Sequence, residues 1–69
     1  MNFSARNILK GQVTQIIEGA VNAEVTIEVA PGVEIVSVIT TSSVESLKLS
    51  VGCEAFAVIK ASSVMVAVE

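Results

Sequence analysis

The chain has 69 residues, of which 52% are apolar, with a mean hydropathy of +0.77, a net charge of -3 and a pI of about 4.7. A chain this short reads as one domain, residues 1–69, that exposes much of its surface and is only marginally stable alone. Its acidic balance argues against nucleic acid as a partner, and one cysteine with no histidine rules out an internal disulfide and an ordinary transition-metal ligand set.

Twenty of the 69 residues are Val or Ile, which are stiff about χ1 and suit the pleated surface of a sheet. The sequence therefore predicts an all-β fold. A first strand, about Ile8 to Ile17, carries Gly11, where a kink or bulge would let a small barrel curl. The second strand alternates most clearly, with Val21, Ala23, Val25, Ile27 and Val29 facing one way and Asn22, Glu24, Thr26 and Glu28 the other. Ala30-Pro31-Gly32 joins a fixed φ to a residue free to take positive φ, which predicts a hairpin into a third strand, about Val33 to Thr40.

In that third strand the clean alternation is lost: Val33, Ile35 and Ile39 lie on one side, Val36 and Val38 on the other. Ser42-Ser43-Val44-Glu45 fits a capping box with Ser42 as the cap, so a short helix is expected from about Ser43 to Leu47. A fourth strand, Cys53 to Ile59, sets Phe56 and Val58 against Cys53, Ala55, Ala57 and Ile59. A fifth, Val64 to Val68, is apolar on both faces. Five strands with one short helix between the third and fourth give the order of a five-stranded OB-like Greek-key barrel. Such a barrel needs one apolar face per strand, so the second apolar faces of strands three to five call for a cover, most economically another copy of the chain.

No apolar run approaches the roughly 20 residues of a membrane-spanning helix. The opening Met-Asn-Phe-Ser lacks the basic and apolar regions of a signal peptide, so a cytoplasmic protein with no membrane partner is expected. Cys53, alone in an apolar run, reads as a small buried hydrophobe. The carboxylates Glu24 and Glu28 share the wet face of a strand and read as solubilising. Nothing in the sequence pairs a nucleophile with an acid or base, which argues against an enzyme.

Two of the four basic residues stand in short polar segments at opposite ends of the chain, Ser4-Ala5-Arg6-Asn7 and Lys60-Ala61-Ser62-Ser63. Each joins a cation, a hydroxyl and small residues that leave backbone amides approachable. In an extended segment Ser4 and Arg6 point the same way around Ala5, and Lys60 and Ser62 repeat the spacing around Ala61. Those groups suit a small oxyanion, but a solvated N-terminus and an ordinary turn explain them as well. Thr40 and Ser43 bracket the helix start, where amides and the macrodipole favour an anion; plain capping is the alternative. Gly19-Ala20-Val21-Asn22 reads as a hairpin turn between the first two strands.

Taken together, the opening Ser-Ala-Arg-Asn, the Gly-Ala-Val-Asn-Ala loop, the Val38-Ile39-Thr40 strand end and the Lys-Ala-Ser-Ser-Val stretch resemble the molbindins over nearly the whole chain, Ser4 to Val66. These small proteins bind molybdate and tungstate and are related to the transport-associated OB domain of molybdate importers and molybdate-responsive regulators. The resemblance implies oxyanion binding and storage without a further cofactor, in a homo-hexamer built as a trimer of dimers. It implies a site at a subunit interface, where Ser4, Ala5 and Arg6 of one protomer meet Thr40, Ser43, Lys60, Ala61 and Ser62 of another. It also implies a second site at a symmetry axis, built from Gly19, Ala20, Val21 and Asn22.

Two rival readings follow from the residues. OB folds often bind nucleic acid by stacking bases on aromatic side chains in a basic groove, and this chain has two Phe, no Tyr or Trp, and a net negative charge. A structural or regulatory oligomerisation module would share the apolar faces and differ only in binding no oxyanion.

Overall fold

The structure is a computed structural model that describes residues 4–69. Four antiparallel strands, β1 (Asn7–Glu18), β2 (Asn22–Ala30), β3 (Val33–Thr40) and β4 (Glu54–Ile59), lie in one sheet in the order β3-β2-β1-β4, with helix α1 (Thr41–Ser46) after β3. The sheet curls into a half-barrel because β1 is long enough for both neighbours: its first half pairs with β4, from Asn7 against Ile59 to Gln12 against Glu54, and Gln12 to Glu18 pair with β2.

The expected kink at Gly11 resolves into two features. The irregularity in the ladder falls between Val13 and Gln15. Gly11 is instead a point of close approach, where a Cβ would lie 2.4 Å from the Glu28 carbonyl oxygen and 2.7 Å from Ile27 Cγ2. Glycine is needed here because β2 crosses tightly over β1 at the curl.

Val13, Ala23, Val25, Ile27, Val44 and Ala57 form the buried core, with Ile16, Val29, Ile35, Ile39, Leu49, Cys53 and Ala55 packed against it. These are the inward positions of the predicted alternation, and Val44 of α1 closes one end. Pro31-Gly32 makes the predicted turn, with Gly32 at φ 75°. Two details differ from expectation. Thr26, on the face expected to be wet, is buried, and Val21, placed with the core residues, precedes β2 and is 71% exposed. Cys53 is half-buried and its Sγ accepts a hydrogen bond from the Ser50 amide.

The helix is capped by Thr40 rather than Ser42. The Thr40 side chain accepts from the Ser43 amide, which moves the start of the helix back to Thr41. The capping-box pattern fails because Thr40 ends β3 in extended geometry, φ -72° and ψ 150°, already suited to the cap.

Among the described residues the sheet has no fifth strand. After β4 the chain makes a 3-10 turn at Ala61–Ser63, and Val64 to Val68 then run without ladder partners; Met65, Val66 and Val68 are 94%, 89% and 93% exposed. The edges of β3 and β4 stay apart, and between them lies an apolar groove lined by Val25, Ile27, Ile39, Leu49 and Ala55 among others. The outward positions Val36, Val38, Phe56 and Val58 are exposed, as the loss of alternation implied. No helix of the described residues is long and apolar enough to cross a membrane.

Candidate functional site

The first group of candidate residues is assembled by the β1–β4 ladder. Asn7 pairs with Ile59, and the Asn7 side-chain amide donates to the Ile59 carbonyl at 3.3 Å. That register sets Ser4, Ala5 and Arg6, just before β1, beside Lys60, Ala61 and Ser62, just after β4. Segments separated by more than fifty residues of sequence thus share one end of the sheet, both cations among them, and all six residues are exposed except the half-buried Ala5. Lys60 is extended, at φ -63° and ψ 133°, but Ala61 to Ser63 form a 3-10 turn, in which the Lys60 carbonyl accepts from the Ser63 amide at 2.8 Å.

Thr40 and Ser43 lie at the far end of β1. Thr40 pairs with Asn22 at the start of β2, beside the β1–β2 loop. Twelve residues of β1 separate this end from Arg6, roughly 35 Å of strand contour. The topology therefore regroups the residues: within one chain Lys60, Ala61 and Ser62 accompany Ser4, Ala5 and Arg6, not Thr40 and Ser43.

At that far end the donors are hydroxyls more than amides. The Thr40 hydroxyl lies 2.7 Å from the Ser43 hydroxyl and 3.3 Å from that of Ser42. The bond between the Thr40 and Ser43 hydroxyls uses one of their two protons, so the pair retains one to give. The Thr41 amide donates to the Val21 carbonyl and the Ser43 amide to Thr40 Oγ1. Two of the first amides of the helix are thus engaged within the chain, which leaves hydroxyls as the donors that Thr40 and Ser43 offer.

The second candidate group, Gly19, Ala20, Val21 and Asn22, packs directly against this helix start. Thr41 Oγ1 donates to the Gly19 carbonyl at 2.9 Å and the Gly19 amide to the Asn22 carbonyl at 2.8 Å. A shallow depression lined by Ala20, Val21, Thr40, Thr41, Ser42 and Glu45 joins loop and helix. Glu45 is a contributor that sequence reasoning missed, because the capping box assigned its carboxylate to Ser42; released from that role, it stands exposed on the rim.

A family model for the TOBE domain matches residues 4–66. The chain belongs to the TOBE-domain family. It is 51% identical over its full length, and the full length of the relative, to a probable molybdenum-pterin-binding protein of Haemophilus influenzae. Among solved structures it is similar to MopII from Clostridium pasteurianum in an apo form, with a TM-score of 0.90 and 45% identity over 97% of this chain and 100% of that one. It is also similar to ModG, a cytoplasmic molybdate-binding protein with molybdate bound, with a TM-score of 0.85 and 52% identity over 88% of this chain and 43% of ModG. The fold is thus that of TOBE domains, the relatives are named for binding rather than for catalysis, and the resemblance to molybdate-binding proteins read from the sequence holds.

Proposed function

We propose that this chain binds molybdate and tungstate between the subunits of a homo-oligomer and stores or buffers the oxyanion in the cytoplasm. The observation that carries the reading is the meeting of Ser4, Ala5 and Arg6 with Lys60, Ala61 and Ser62 at one end of the sheet: two cations, two hydroxyls and two small residues, with no carboxylate among them. Both ions are tetrahedral dianions near neutral pH. A cage for them needs donors and positive charge, and a carboxylate would repel the ion. Tungstate is nearly isosteric with molybdate, so the same cage accepts either.

A second protomer supplies Thr40 and Ser43, because one chain holds them a strand length away from its own Arg6. Arg6 and Lys60 offset the charge, while Ser4, Ser62, Thr40 and Ser43 with the amides around Ala5 and Ala61 set radius and geometry. The loop Gly19-Ala20-Val21-Asn22 forms the second site where three subunits converge. Assembly as a hexamer, a trimer of dimers, follows from the resemblance. The apolar tail Val64 to Val68 and the open groove between β3 and β4 support it, since the tail of a neighbour would complete each barrel as the fifth strand.

The test is native mass spectrometry of the oxyanion-free protein titrated with molybdate, with sulfate as the size control. A hexamer that takes up several molybdates and little sulfate fits the proposal, and the added mass tells a bare oxyanion from a pterin complex. An oligomer that takes up neither refutes storage and leaves a structural module. A monomer refutes the interface as well.

A further inference from the structure

We infer that Thr41, a residue outside both candidate sites, is the positioning residue of the loop site: its hydroxyl and amide tie down the carbonyls of the Gly19–Asn22 turn and so leave that loop presenting donors. The inference rests on the proposed oxyanion reading of the loop. A four-residue turn carries as many carbonyl oxygens as amides, and a dianion is held by the amides and repelled by the carbonyls. In this turn three of the four carbonyls are engaged within the chain. That of Gly19 accepts from Thr41 Oγ1 at 2.9 Å, that of Val21 from the Thr41 amide at 2.8 Å, and that of Asn22 from the Gly19 amide at 2.8 Å. The amides of Ala20 and Val21 have no partner among the described residues, and both residues are exposed.

Thr41 accounts for two of those three bonds, one from each of its donors, and it is half-buried against the loop. Its neighbour Thr40 turns the other way, with its hydroxyl on Ser43. Adjacent threonines therefore divide the work, one offering its hydroxyl toward a ligand and the other spending its hydroxyl on the loop. The turn is too tight to hold this polarity by bulk, since a Cβ on Gly19 would lie 2.9 Å from the Asn22 carbonyl oxygen. Without the Thr41 hydroxyl the Gly19 peptide is free to rotate and bring a carbonyl toward the ion.

The experiment isolates the loop by removing both interface cations. In the Arg6→Ala/Lys60→Ala protein, molybdate uptake followed by native mass spectrometry and calorimetric titration reports the loop site. Thr41→Val in that background, which keeps shape and amide but lacks the hydroxyl, weakens uptake about three- to tenfold, the scale of one hydrogen bond. Thr41→Ala matches it, and Thr41→Ser restores the parent affinity. Parent-like uptake in Thr41→Val and Thr41→Ala overturns the inference, as does Thr41→Ser as weak as Thr41→Val, because methyl packing rather than the hydroxyl would then hold the loop. No molybdate uptake by Arg6→Ala/Lys60→Ala itself refutes the loop site, and the role of Thr41 with it, while leaving the interface site of the parent protein intact.

Discussion

The tail that leaves the sheet offers the sharpest test of assembly, and Val66→Asp is the substitution to make. Val66 is 89% exposed in the single chain, so nearly its whole side chain is available for burial against a neighbour. Val64, Val66 and Val68 share one face of an extended segment, and the groove between β3 and β4 is lined by Val25, Ile27, Ile39, Leu49 and Ala55. Burying one valine contributes about 1.5–3 kcal/mol. An exchange of tails between two protomers counts the contact twice, so its loss costs about 3–6 kcal/mol, a weakening of the dimer dissociation constant by about 10²–10⁴. Aspartate adds the cost of a carboxylate too short to reach water from within the groove. Sedimentation velocity over a dilution series reads the effect directly: the parent holds its oligomer and the variant dissociates. If the variant sediments like the parent at every concentration but melts lower, the tail closes its own barrel and the exchange is wrong; if neither property moves, the tail lies outside any interface.

Replacing Arg6 with Ala is expected to weaken molybdate binding at the interface by roughly 1.5–3 kcal/mol, the value of a charged hydrogen bond, with the oligomer still assembled; unchanged affinity in a calorimetric titration removes Arg6 from the site. Glu45→Gln, which neutralises the carboxylate on the rim of the loop depression, should tighten molybdate uptake about two- to fivefold at low salt, with the gain fading as salt rises. A gain that persists in 1 M salt would point to a hydrogen bond instead. Gly11→Ala forces a Cβ to within 2.4 Å of the Glu28 carbonyl oxygen and should destabilise the fold by about 1–3 kcal/mol as an overpacked contact. Urea denaturation at fixed protein concentration checks it, and a stabilised variant would mean that β2 can move away at little cost.

The elements legible in the sequence were those with a strong local pattern. Val33 to Thr40 matches β3 at both ends, the Pro31-Gly32 turn lies where the fixed φ and the free glycine put it, and the core is drawn from the inward positions of the alternating strands. What escaped was set by tertiary context. Ser42 and Thr40 both qualify as helix caps, and only the extended ψ of 150° at the end of β3 decides for Thr40. The fifth strand has a strand-forming sequence, but Val64 to Val68 pair with neither free edge of their own sheet, which local pattern alone does not determine. The cationic and hydroxyl candidates could be read as types, because a chain with four cations makes each polar segment that carries one easy to single out, whereas Glu45 was missed because the capping box had claimed it. Their grouping was not, since only the register of Asn7 against Ile59 reveals that Arg6 and Lys60 belong to one end of one chain.

If the proposed interface site is right, that register also links ligand and assembly. Arg6 and Lys60 stand at the same end of the sheet, on segments brought together by the ladder, and in the absence of an anion their like charges oppose the approach of further positive surface. A dianion held between them and the hydroxyls of Thr40 and Ser43 from a second protomer removes that repulsion and adds hydrogen bonds that neither protomer makes alone. Such a ligand stabilises the assembled state by RT ln(1 + [L]/Kd), about 2.7 kcal/mol at a hundredfold excess over Kd. In the proposed interface site the shared residues serve two ends at once: they complete the cage, and they make filling the cage tighten the oligomer. Melting temperature should therefore rise with molybdate in the parent and rise less in Arg6→Ala. Equal rises in the two would place the bound ion away from Arg6 and undo this linkage.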